Sequence, residues 1–220
     1  MAGETVKTQA VCLGIRPWSR TSHIVSWLTP AGRVVTSVKG AVRPKSAFLG
    51  QYDLNYTCEI VYYARGCGDI HALRECVPLL RRDGLRADYR RLVLAEYFRQ
   101  LAAALAPGGP ECAEWLALLA GALDALGDPS DETPNLARLL DFEMRTLALV
   151  GLSPELSGAA LELRGERSIP VSAEVLACLR DPRREKNLKI LLDAARVIGV
   201  FYSFHVDCAS DVRRTVLKVI

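Results

Sequence analysis

The chain has 220 residues, half of them hydrophobic, and a net charge of only +3. That length fits one large or two small domains with a sizeable core. No run approaches the roughly 18 apolar residues of a membrane span, and the polar stretch Met1–Ala10 lacks the pattern of a secretory signal, so a cytoplasmic protein is expected. The seven cysteines are odd in number and scattered, without a Cys-x-x-Cys pair or a Cys/His pair at short zinc spacing. They read as buried thiols. The small net charge hides an asymmetry: residues 1–100 carry +7 and residues 101–220 carry −4. A basic front half is the electrostatic footprint of a polyanion partner.

The front half alternates with a period of two. Gln9–Arg16 sets Val11, Leu13 and Ile15 against Cys12, Gly14 and Arg16. Ser22–Leu28 alternates again, and Thr29-Pro30-Ala31-Gly32 reads as a turn. Arg33–Lys39 forms a third strand, Tyr52–Tyr63 a fourth and Ile70–Val77 a fifth. Five short strands in under eighty residues predict a small closed β-barrel of the OB type.

Between the third and fourth strands lies Val38-Lys39-Gly40-Ala41-Val42-Arg43-Pro44-Lys45-Ser46-Ala47-Phe48-Leu49-Gly50. This loop is basic, carries a proline and is bracketed by glycines. It offers donors for phosphate oxygens and no group that does chemistry. Barrels of this kind hold single strands in grooves that combine cations with rings. Arg16, Trp18 and Arg20 lie on the first turn, Lys39, Arg43 and Lys45 on the loop, and Arg65 and Arg74 near the last hairpin. Tyr52, Tyr56, Tyr62 and Tyr63 supply rings that serve either packing or base stacking.

Composition changes near Pro78, where Arg81, Arg82, Arg86, Arg90 and Arg91 form a basic cluster. Helical spacing then runs over Ala87–Ala106, Glu111–Leu126 and from Pro134 to Val150. Residues 153–170 are polar and weakly patterned. Ser172 caps a short helix through Leu179, and Glu185–Phe204 is the last long helix. The expected organisation is α+β: an OB-fold nucleic-acid-binding domain over 1–80 and a helical bundle domain over 81–220.

Four stretches, in order, resemble the bacterial RecO recombination-mediator family. They are Val11-Cys12-Leu13-Gly14-Ile15-Arg16-Pro17 with Ser22-His23-Ile24-Val25; Val38 through Ser46; Asp69-Ile70-His71-Ala72-Leu73-Arg74-Glu75; and Phe142-Glu143-Met144-Arg145 with Leu147 through Pro154. The resemblance implies a non-enzymatic protein that binds single- and double-stranded DNA and anneals complementary strands. With RecR such a protein helps RecA replace single-strand-binding protein, whose acidic C-terminal tail it contacts. It places Lys39, Arg43 and Lys45 on the DNA-contacting loop, with Arg16 and Arg74 at basic positions of the barrel; Arg20, Arg81 and Arg82 complete the expected DNA-binding set. Many relatives hold zinc with four cysteines after the Gly-Leu-Ser-Pro-like segment. Glu155–Val171 has neither cysteine nor histidine, so residues 152–172 are read as a shortened remnant of that module, and no metal or other cofactor is expected.

An enzyme is the competing class. His23, His71 and His205 lie in unrelated segments, no Walker-type Gly-Lys-Ser/Thr loop occurs, and the carboxylates of the front half are scattered rather than clustered for Mg²⁺. A third class is a protein-only scaffold of a repair complex. Its docking pocket would set a cation beside apolar side chains, with Arg138, Arg145, Lys189 and Arg196 as candidates. Sequence does not choose among these four.

Overall fold

A computed structural model of the chain describes residues 3–64, 68–109, 112–163, 167–206 and 210–220. The described residues form two compact units, one of residues up to 83 with 105–124, the other of residues 84–104 with 125–220. The expected boundary near residue 80 put every helix in the second domain; the structure instead groups residues 105–124 with the barrel.

The first unit is built on five strands: β1 (Glu4–Ser19), β2 (Ser22–Thr29), β3 (Gly32–Val38), β4 (Thr57–Ala64) and β5 (Ile70–Leu80). They close in the order β1-β2-β3-β5-β4, and closure leaves no free sheet edge. β1 makes this possible by serving two neighbours. Its first half pairs with β4 from Glu4↔Ala64 to Val11↔Thr57. Its second half pairs with β2 from Val11↔Leu28 to Ser19↔Ser22. A register shift between Cys12 and Gly14 bends the strand between the two pairings. β3 and β5 are parallel, with Val35↔Ile70, Thr36↔His71 and Ser37↔Ala72.

The barrel core takes Ala10 and Cys12 from β1, with Val25, Trp27, Val38, Cys58, Ile60, Leu73 and Cys76. Trp27 donates its indole N–H to Thr36 Oγ1 at 2.9 Å, so its one polar atom is satisfied inside. Val11 and Leu13 are buried as well, so this part of β1 is covered on both faces. The fourth strand starts later than its alternation predicts. Asn55 has φ +67°, and residues 52–56 form the end of the long loop. α2 (Cys112–Gly127) begins in this unit and buries Trp115, Leu119 and Leu123.

The second unit contains α1 (Tyr89–Leu105), α3 (Asn135–Leu149), α4 (Ala173–Arg180), α5 (Leu188–His205) and α6 (Ser210–Val219), with a two-stranded ribbon of β6 (Ala160–Leu163) and β7 (Arg167–Pro170). The ribbon and α6 are additions to the sequence expectation. Ser172 caps α4 by accepting from Val175 N–H, as expected. Phe98 of α1 stacks on Phe142 of α3 at 4.0 Å between ring centroids. Next to them Glu143 is fully buried. It accepts from the Tyr97 hydroxyl at 2.7 Å and from Arg213 of α6 at 2.6 and 3.0 Å. Arg213 also donates to Ala195 O of α5. It fits because Gly199 has no side chain; a Cβ there would strike the guanidinium. Among the described residues, no helix is long and apolar enough to cross a membrane.

Candidate nucleic-acid interface

The basic loop leaves β3 beside the turn that joins β1 to β2. Gly40 N–H donates to Ser22 Oγ at 3.2 Å, and Val42 N–H to Thr21 O at 3.3 Å. These two bonds set Lys39 and Arg43 next to the Arg16–Arg20 tip. Gly40 sits at φ +66°, where a side chain is disfavoured, and the Arg43 side chain folds back over the bare Cα. Successive turns, Arg43 N–H to Gly40 O and Ser46 N–H to Arg43 O, carry the chain to Lys45. Ala41 and Phe48 pack into the barrel core and hold the loop down from below.

The far end of the loop is clasped by Tyr52. Its hydroxyl shares a 2.8 Å hydrogen bond with His23 Nδ1, and its ring meets Trp27 edge to face. Burial, reinforced by the Cys12 and Cys76 thiols, raises the Tyr52 pKa, so the hydroxyl stays protonated. The Cys58 and Cys76 thiols both donate to Gln51 O. The Cys76 thiol is pushed up by its hydrogen bond with Cys58 and by burial. Cys12, Cys58, Cys76, Cys112 and Cys178 are buried thiols, none of them in a disulfide among the described residues; Cys67 and Cys208 lie outside the described residues.

Arg16, Arg20, Lys39, Arg43 and Lys45 are all exposed, and none forms an ion pair among the described residues. An exposed cation without a carboxylate keeps its full capacity for a phosphate oxygen. Arg74 lies on β5, two residues past its last pairing with β3, with its guanidinium 5.8 Å from the centre of the Tyr63 ring. Arg65 lies outside the described residues.

The remaining two expected residues differ from each other. Arg81 is exposed just beyond the end of β5, where Leu80 pairs with Thr57. Arg82 corrects the sequence reading outright, because it is an interior staple. Its Nε donates to Asp124 Oδ1 at 2.6 Å, Nη1 to Asn55 O at 2.5 Å and Nη2 to Thr57 Oγ1 at 2.9 Å. Burial lowers its pKa and Asp124 opposes that shift. Buried among these acceptors, the guanidinium is turned away from solvent.

The rings divide in the same manner. Tyr56 and Tyr62 belong to the barrel core, Tyr52 is clasped and Tyr63 lies beside Arg74. Among the cations considered for partner docking, Arg138 is buried and donates to the carbonyls of Ala125, Asp131 and Thr133. Arg196 pairs with Asp193 and lines a groove of about 380 Å³ between α5 and α6, with Val200, Val206, Arg214 and Leu217. Arg145 and Lys189 are exposed. The groove is the feature the sequence reading missed, because its second wall is α6.

Comparison with known proteins agrees with this architecture. Residues 86–213, more than half of the chain, match the family described as Recombination protein O C terminal. A DNA repair protein RecO from Moorella thermoacetica is 29% identical over 171 residues, which is 76% of this chain and 61% of that protein. A DNA repair protein RecO from Roseiflexus sp. is 28% identical over 183 residues, 80% of this chain and 62% of that protein. The aligned part of the chain thus spans about three fifths of the length of these relatives. With a family match across most of the helical unit and a closed five-stranded barrel before it, the chain belongs to the RecO family.

Proposed function

We propose that this chain is a DNA repair and recombination factor that binds single- and double-stranded DNA through the barrel end and carries out no bond-making chemistry. One observation carries the reading: Lys39 and Arg43 are held beside Arg16 and Arg20 by the bonds of the Gly40 and Val42 N–H groups, exposed and without carboxylate partners among the described residues. Complementary strands repel each other. A basic surface that holds both lowers that repulsion and raises their local concentration, which is the physical content of annealing. The cations meet backbone oxygens, so little preference for base sequence is expected.

The names of the relatives support a place in repair. On the family resemblance, the partners are RecR, RecA and the acidic tail of single-strand-binding protein, met in the bacterial cytoplasm and at the nucleoid. In the groove between α5 and α6, Arg196 and Arg214 stand beside Val200 and Leu217. That juxtaposition of cation and apolar side chain is what an acidic tail requires.

The test is fluorescence anisotropy with labelled single-stranded DNA across a salt series, for the native chain and for Lys39→Ala/Arg43→Ala/Lys45→Ala. The variant should bind more weakly, and its log–log salt slope should be shallower by about 2 if all three cations meet phosphates, at about 0.7 per contact. No binding by the native chain at low salt would sink the DNA reading and leave a protein-only scaffold.

A further inference from the structure

We propose that Trp18 is the platform on which an unpaired base of a single strand stacks, so that the barrel end distinguishes single strands from duplex. The proposal rests on the DNA-binding reading above and adds to it a named ring and a preferred form of nucleic acid.

The argument starts from strand register. The β1–β2 ladder runs through Arg16↔Ile24 and Pro17↔His23, then skips to Ser19↔Ser22. Trp18 is therefore the extra residue of a β-bulge and has no cross-strand partner. Bulges re-aim side chains, and Pro17 just before it has a fixed φ and no N–H to pair. The result is an indole 69% exposed at the tip of a hairpin. The other tryptophans, Trp27 and Trp115, are 0% and 2% exposed.

Its surroundings fit a nucleic acid. Arg16 and Arg20 flank it two residues away on either side, and the hairpin turn is hydrogen-bonded to the loop that carries Lys39 and Arg43. Cations can track the backbone while the ring meets a base, and every base offers a π-face. In a duplex those faces are already stacked on their neighbours, so the ring gains nothing there and only the cations contribute. The tyrosines of the barrel do not compete: Tyr56 and Tyr62 are core, Tyr52 is clasped by His23, and Tyr63 carries Arg74 over its ring.

The experiment titrates the full chain, Trp18→Ala and Trp18→Phe with three end-labelled probes of equal length: oligo-dT, an abasic oligomer and a duplex. Anisotropy gives affinity, and intrinsic tryptophan emission reports on the exposed indole. The native chain should prefer oligo-dT to the abasic strand, with its emission quenched by oligo-dT alone. Trp18→Ala should lose that preference through a drop of about 5- to 100-fold in oligo-dT affinity, with abasic and duplex binding unchanged, and Trp18→Phe should keep most of it. Unchanged oligo-dT binding in Trp18→Ala, with native emission undisturbed, would overturn the stacking site while leaving the DNA reading intact; the ring would then belong to a protein contact. Failure of the native chain to bind any of the three probes would overturn both.

Discussion

At the barrel end, Lys39 and Arg43 stand in solvent without an ion pair among the described residues, whereas Arg138 and Arg213 of the helical unit are 3% and 6% exposed and surrounded by acceptors. Guanidinium groups thus serve two purposes in one chain. In the helical unit they satisfy buried carbonyls and carboxylates and so hold helices together. On the barrel loop Lys39 and Arg43 are held by the bonds that the Gly40 and Val42 N–H groups make to Ser22 and Thr21, and their charged ends stand in solvent. Charge counted along the sequence does not separate these roles; only the partners do.

Removing a buried, paired cation should give the largest effect. Arg213→Met would leave Glu143 buried with the Tyr97 hydroxyl as its remaining side-chain donor. Losing one member of a buried ion pair costs about 3–5 kcal/mol. Thermal unfolding followed by far-UV circular dichroism should show a midpoint lower by roughly 10 °C or more. Glu143→Gln/Arg213→Met, which removes the stranded charge, should lose less than Arg213→Met alone. Equal stability of Arg213→Met and the native chain would mean that α6 is not held by this pair.

Arg82 sharpens the comparison, because it lies in the barrel unit but behaves like the cations of the helical one. It also adopts φ +54°, a backbone cost of roughly 1–2 kcal/mol that its side-chain bonds must outweigh. Arg82→Ala should destabilise the barrel unit by about 2–4 kcal/mol, since it leaves the Asn55 carbonyl short of a donor and keeps the strained backbone. Below the unfolding transition, its salt slope for DNA should match that of the native chain. The reverse pattern, normal stability with a shallower slope, would return Arg82 to the phosphate-contacting set.

These cases mark how far the sequence could be read. The five strands were legible because period-two alternation is local, and so was the basic loop, since proline, glycine and charge are local signals. The ends of β1 were not: its extension to Glu4 and Ser19 depends on pairing with two different strands around Val11. β6 and β7 are four residues each, too short for a pattern. α6 was invisible because its anchor, Arg213, finds Glu143 seventy positions away. The same distance problem hid Arg82, whose carboxylate partner is Asp124. Trp18 was legible as a ring on a turn, but its exposure follows from a bulge that only the register reveals.

The smallest effect concerns acid. Asp131 pairs with Arg138 at 3.2 Å and accepts from Thr133 N–H. Burial pushes its carboxyl up, but the Thr133 hydrogen bonds and Arg138 outweigh that, and its pKa is held below the usual 3.8. A carboxyl depressed on folding stabilises the fold fully above its unfolded pKa, and that contribution is lost as pH falls through the folded one. Asp131 therefore contributes almost nothing to any change in stability between pH 7 and 5, and adds to the acid limb only below about pH 5. Asp131→Asn should flatten that limb slightly in urea denaturation series from pH 5 to 2.5, with a modest loss at neutral pH. Among the described residues no carboxylate pairs with Lys39, Arg43 or Lys45, so Lys39→Ala/Arg43→Ala/Lys45→Ala should leave the acid limb unchanged. A change in that limb in the loop variant would mean that its cations have carboxylate partners after all, and the contrast between the two units would fail at its basic end.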